Sequence, residues 1–183
     1  MTDHTRQRQI SDTLDAYQAD LASQGDRQAF ALLYRRWHPR GIRLARRLTG
    51  DAAEADDVMQ DAALTIARDI RKLRDPARFS AWAFTIVRRR SADHIDRAVR
   101  RRAGEADSLM PETDMGPDVA LSMKQALARL PETERTMLAL FYLDGFRGHE
   151  IAAALGIPLG TVKSRLFKAR QSLKKLYEGD DHD

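Results

Sequence analysis

The chain has 183 residues, with 31 Lys+Arg against 27 Asp+Glu, a net charge of +4, 43% hydrophobic residues, 7% aromatic residues and no cysteine. The length allows one large domain or two small ones, and the lack of cysteine excludes a disulfide scaffold, a thiol nucleophile and a thiolate metal site. No stretch approaches the roughly 18 apolar residues of a membrane span, and the polar start MTDHTRQRQISD lacks the apolar core of a signal peptide, so the expectation is a soluble, cytoplasmic protein with no membrane insertion.

Residues 1–11 are expected to be disordered. A short helix over 12–23 would turn Leu14, Tyr17 and Leu21 inward, and Gly25 would end it. Asp26 can cap a helix over 27–37 that buries Phe30, Leu33, Tyr34 and Trp37, with Pro39 interrupting it before a further helical run through Leu48. Asp51 opens a helix to about Leu73 whose apolar face is Ala55, Val58, Met59, Ala62, Ile66 and Ile70. Its other face shows Glu54, Asp57, Gln60 and Asp61. Arg74-Asp75-Pro76 reads as a loop, because the residue before proline leaves the helical region. A helix from Phe79 or Ser80 to about Arg102 then carries a cluster of arginines.

Residues 103–118, AGEADSLMPETDMGPD, have the composition of a linker. Beyond it, helices over 119–129 and from Pro131 are expected, the second burying Met137, Leu138, Phe141 and Leu143 until Gly145. The run EIAAALGIPLGTVKSRLFKAR comes next. Gly156 suits a left-handed helix end, Pro158 the turn after it, and Val162, Leu166, Ala169, Leu173 and Leu176 repeat at helical spacing. The other side of that helix is basic, and from Ile151 to Tyr177 there is no Asp or Glu. Two helices about a glycine-bearing turn, the second basic, form a helix-turn-helix; the plain alternative is an amphipathic helix with a solvated cationic side. Gly160 would let backbone approach a phosphate, with the free amides near Thr161 aimed at it. No alternating strand pattern of useful length occurs. The fold class expected is all-α: two small helical domains, 12–102 and 119–177, joined by a flexible linker, the C-terminal one with the helix-turn-helix, followed by an acidic tail at 178–183.

Two blocks carry a resemblance. AFALLYRRW, LARRLTGDAAEADDVMQDA and FSAWAFTIVRRRSAD form the first, LPETERTMLAL and EIAAALGIPLGTVKSRLFKAR the second. In this order the chain resembles a bacterial sigma factor of the extracytoplasmic-function (ECF) type, over about residues 20–177. The resemblance implies a non-enzymatic factor that binds core RNA polymerase and promoter DNA, that an anti-sigma factor holds inactive, and that needs no cofactor, metal or small-molecule substrate. By resemblance, Asp57, Gln60 and Asp61 contact the polymerase; an acidic helix face meeting a basic one gives steering and register. Arg71, Lys72, Arg74 and Arg78 would attract single-stranded −10 DNA near a flipped base, and Arg88, Arg89, Arg90 and Arg97 would meet the −10 duplex edge. At the −35 element, Lys163, Ser164, Phe167 and Lys168 would face base edges, while Gly160, Thr161, Arg165 and Arg170 would hold phosphates. Gly148 stands where the family often has a capping serine or threonine, so the first helix of the pair should start weakly.

Each site has a rival reading. The acids can be a solvated face, or Asp56, Asp57 and Asp61 an aspartate-rich Mg²⁺ site. The 74–79 loop can be an ordinary turn, and Phe79 and Trp82 core rather than stacking platforms. The whole chain can be a stand-alone helix-turn-helix regulator.

Overall fold

The computed structural model describes residues 3–102 and 127–179, and every regular element among them is helical. Two compact units divide the chain, 1–108 and 109–183. Their described elements are α1 (Asp3–Ser23), α2 (Arg27–Thr49), α3 (Ala52–Asp69) and α4 (Phe79–Arg102) in the first, and α5 (Glu132–Leu138), α6 (Gly148–Leu155) and α7 (Leu159–Gly179) in the second.

In the first unit, local signals set the helix starts. The Asp26 carboxylate accepts from the amides of Gln28 (2.8 Å) and Ala29 (3.0 Å), and that of Asp51 from Glu54 (2.9 Å). These satisfy amides the first turn would otherwise leave bare. Gly50, at φ 76°, closes α2 in the left-handed conformation. Helices α2, α3 and α4 pack on one another, and α1 lies against α2. The seam is built from Leu33, Trp37 and Leu44 of α2, Val58, Met59 and Ile66 of α3, and Phe84 and Val87 of α4, all buried. Trp37 lies 5.3 Å from the Phe84 ring and 6.0 Å from that of Phe79. All six apolar positions expected along this stretch are buried, five on α3 and Ile70 in the 3-10 turn after it.

The first unit departs from expectation at several points. Phe30 and Tyr34 are only half-buried, and α3 ends at Asp69, with a 3-10 turn at Ile70–Lys72 in place of helix to Leu73. Helix α1 begins at Asp3 rather than after residue 11. No glycine or proline precedes Gly25, and Arg36 of α2 holds the Ser11 carbonyl (3.2 Å) and hydroxyl (2.9 Å) and pairs with Asp15 at 3.1 Å, so nothing breaks the helix and α2 secures it. Leu14 and Tyr17 point outward, Tyr17 being 62% exposed, because Ala19 and Ala22 form the face that meets the bundle. Pro39 does not interrupt α2, which runs through to Thr49. The proline costs one backbone hydrogen bond, and burial of Trp37, Gly41 and Leu44 on either side outweighs it. At Gly41 a Cβ would stand 2.8 Å from the Met59 methyl and 2.9 Å from the Trp37 ring, so α2 and α3 approach at a residue with no side chain.

In the second unit, residues 127 and 128 are helical, and 103–126, with the linker expected at 103–118 and the first eight residues of the helix expected over 119–129, lie outside the described residues. Helix α5 continues into a π-helical turn at Ala139–Leu143. That wider turn shifts the side chains about the helix axis, so Leu143 is exposed and Phe141 only half-buried, contrary to expectation, while Leu140 and Phe146 fill the core. Gly145, at φ 66°, then turns the chain.

Replacing Ile66, fully buried in the core of the first unit, with Ala should cost about 2–5 kcal/mol. The check is urea unfolding of the full chain; a smaller loss would mean that the bundle refills the space.

Candidate nucleic-acid interface and acidic face

Helix α6 starts without a side-chain cap from Arg147, yet it is closed: the buried Glu150 carboxylate accepts from the Arg147 amide at 2.7 Å. This is half of a reciprocal capping arrangement, and the cap position is Arg147 rather than Gly148, which is the first residue inside the helix. A Cβ at Gly148 would press on the Leu159 side chain at 3.1 Å. Gly156, at φ 69°, ends α6, and α7 begins two residues after Ile157. Val162, Leu166 and Ala169 bury one face of α7. Gly160, Lys163, Ser164, Arg165, Phe167, Lys168 and Arg170 are exposed on the rest, and Thr161 is half-buried. A Cβ on Gly160 would meet nothing within 4 Å, so the first turn is open to a ligand's close approach.

Two of these cations are not idle. The Arg170 guanidinium sits 5.3 Å from the Phe141 ring centre and 5.6 Å from that of Tyr142, a cation–π brace onto the π-helical turn. Lys168 Nζ lies 3.8 Å from Glu134 Oε1 of α5. Ser164 donates to the Thr161 carbonyl at 3.1 Å.

In the first unit Asp57, Gln60 and Asp61 are exposed on α3. Leu64 shares their face at helical spacing and is 72% exposed. Sequence reasoning passed over Leu64, although an apolar side chain three and four residues beyond Asp61 and Gln60 on a polar face is a visible signal. Asp56 and Asp57 are exposed too, and among the described residues no group of three or more His, Asp or Glu is placed to hold a metal ion. Across the helix pair, Arg97 Nη2 of α4 lies 3.7 Å from Asp61 Oδ2, so one arginine expected to meet DNA touches an acid expected to meet protein.

The remaining basic residues divide. Arg71, Arg74 and Arg89 are exposed. Arg78 pairs with Asp75 (3.1 Å), whose carboxylate also caps the short 3-10 turn at Pro76–Arg78. Arg90 is half-buried and donates to the Thr65 hydroxyl at 2.9 Å, tying α4 to α3. Arg88 is half-buried as well. Phe79 is core and Trp82 half-buried beside it, with ring centres 6.1 Å apart. Lys72 Nζ contacts Asp69 at 2.7 Å, and Arg68 contacts the same carboxylate at 3.1 Å. Hydrogen bonds from Arg68, then Lys72, hold the Asp69 carboxyl down at about 2.

Comparison with known proteins respects the same division. Residues 33–101 match the model for sigma-70 region 2, and residues 120–173 that for sigma-70 region 4. The ECF RNA polymerase sigma factor SigM of Mycobacterium tuberculosis is 35% identical over 154 residues, spanning 83% of this chain and 79% of SigM. The chain belongs to the ECF sigma factors. It is therefore a recognition subunit of RNA polymerase and not an enzyme. Among solved structures, CnrH in complex with the cytosolic domain of CnrY superposes on this sigma factor with a TM-score of 0.60 at 26% identity, covering 91% of this chain and 99% of CnrH. The sigma factor RpoE of Bartonella quintana, solved with the anti-sigma factor NepR, shares the fold at a TM-score of 0.62 and 24% identity, over 81% of this chain and 96% of RpoE. No helix among the described residues is long and apolar enough to cross a membrane.

Because the Asp69 carboxyl is depressed, its contribution to stability is present above its ordinary value of about 4 and is lost only as pH falls toward about 2. Lys72 and Arg68 are thus engaged at neutral pH. A carboxyl NMR titration should place the Asp69 midpoint near 2. Asp69→Asn should tighten binding of a single-stranded oligonucleotide and steepen its salt dependence by about one released counterion, read by fluorescence anisotropy; an unchanged slope would mean that Lys72 stays away from the strand.

Proposed function

We propose that this sigma factor docks core RNA polymerase through the α3 face of Asp57, Gln60 and Asp61, with Leu64 as its apolar centre. A basic polymerase helix suits that face: opposite charges bring the surfaces together, and burial of the leucine adds apolar contact. The segment from Arg71 to Phe79 and the arginines of α4 then engage the −10 element. Arg71, Arg74 and Arg89 are exposed and suit that task, while Arg88 and Arg90 act closer to the helix seam. The N-terminal half of α7 enters the −35 major groove, with Lys163, Ser164, Phe167 and Lys168 toward base edges and Gly160, Thr161 and Arg165 toward phosphates. Arg170 reaches phosphate from its aromatic seat. In this reading residues 12–102 form the polymerase and −10 domain, 119–177 the −35 domain, and 103–118 the tether between them. The factor works in the bacterial cytoplasm with the polymerase. An anti-sigma protein masking it fits the same scheme, as CnrH is found in complex with the cytosolic domain of CnrY.

The observation that carries this proposal is the outward face of α7. It is basic, carries no Asp or Glu from Leu159 to Tyr177, and stands on a helix-turn-helix whose other side is buried. A regulator acting alone would footprint DNA without polymerase. The test is run-off transcription from genomic fragments with core polymerase: specific transcripts should appear only with both components. Lys168→Ala should cost about 1–3 kcal/mol in promoter binding and alter −35 preference. Asp61→Lys should abolish transcription by weakening core binding in pull-down, with −35 preference untouched; full core binding by that variant would remove α3 from the interface.

A further inference from the structure

Glu134 lies outside the helix-turn-helix, and the DNA-facing role of α7 does not require it. Its side chain is only 12% exposed, on the first turn of α5. One carboxylate oxygen, Oε2, is buried with no hydrogen-bond partner among the described residues. The other, Oε1, lies 3.8 Å from Lys168 Nζ, whose side chain is 76% exposed. A buried carboxylate needs a countercharge; the ion pair found for it among the described residues is with Lys168. The amides of the α5 N-terminus add favourable potential but no second cation.

We infer that Glu134 is a positioning residue that sets the sequence specificity of the −35 reader by holding Lys168 in one orientation. This rests on the proposed base-reading role of Lys168. A free lysine has four rotatable bonds and reaches many acceptors, so on its own it behaves as a non-specific cation. An ammonium group has three N–H donors. At 3.8 Å the Glu134 carboxylate attracts the ammonium without taking a hydrogen bond from it, so its donors stay available to the O6 and N7 acceptor pair on the major-groove edge of guanine. The anchor is effective because it is fixed: a mostly buried side chain on a helix cannot move with the lysine as an exposed one would. The pair is partly solvated and so contributes little to fold stability; its effect lies in where the nitrogen points. Glu134 also subtracts one negative charge's worth of attraction from DNA, so its loss should raise general affinity while lowering discrimination.

The experiment uses the full-length factor with core polymerase and a template library randomised over the −35 and −10 segments, with transcripts sequenced. Wild-type factor should enrich a −35 sequence; if it enriches none, the base-reading proposal itself fails. Given enrichment, Glu134→Gln should lose about threefold or more of its discrimination, and only at the positions that Lys168→Ala also relaxes, a base contact being worth this or more. The double variant should be no worse than Lys168→Ala alone. Oligonucleotide binding by Glu134→Gln, without polymerase, should be as tight as wild type or tighter. Should Glu134→Gln fold poorly, Glu134→Asp keeps the charge but withdraws it by one methylene, and should lose part of the same discrimination. Unchanged discrimination in the folded variant, or loss spread over all positions, overturns the inference.

Discussion

A helix that is to meet a polyanion must keep its cations clear of the chain's own carboxylates, and the second unit is organised by that constraint. The 27 residues from Ile151 to Tyr177 hold no acid. Glu134, an acid that approaches Lys168 on the outer side of α7, comes from another helix and from a mostly buried position. The buried face of α7 can then be purely apolar, Val162, Leu166 and Ala169 meeting α6 and α5, with the charge on the outside.

The first unit solves a different problem. Its surface has to carry both signs, and the structure keeps many of them in local pairs. Asp69 holds Arg68 and Lys72, Asp75 holds Arg78, Arg90 spans to Thr65, and Arg97 stands beside Asp61. Such surface pairs contribute little to stability. They do lower the number of unengaged cations, so a bundle rich in arginine offers fewer free ones than its composition suggests. The Arg97–Asp61 contact also links the two surfaces proposed for different partners.

Much of this was legible in the sequence because the signals were local. Aspartates before helical runs became caps at Asp26 and Asp51, Gly156 took the left-handed end, and the six apolar positions from Ala55 to Ile70 all went inside. The misreadings arose where tertiary packing outvoted a local rule. Pro39 reads as a stop until the burial around it is known. Leu14 and Tyr17 read as core until two alanines are seen to make the closer contact. The π-helical turn is invisible to a 3.6-residue pattern, which is why Leu143 was misplaced. Among candidate site residues, membership of a helix face could be read, but pairing could not: that Arg90 spans to α3, or that Glu134 reaches Lys168 from 34 positions away, depends on how helices pack.

The aromatic seat of Arg170 has a consequence of its own. Small ions crowd around exposed opposite charges and weaken them, but they compete far less well for a guanidinium laid against Phe141 and Tyr142. Raising the ionic strength should therefore peel the recognition helix from nucleic acid while leaving its attachment to the π-helical turn after α5 intact, so the domain lets go without coming apart.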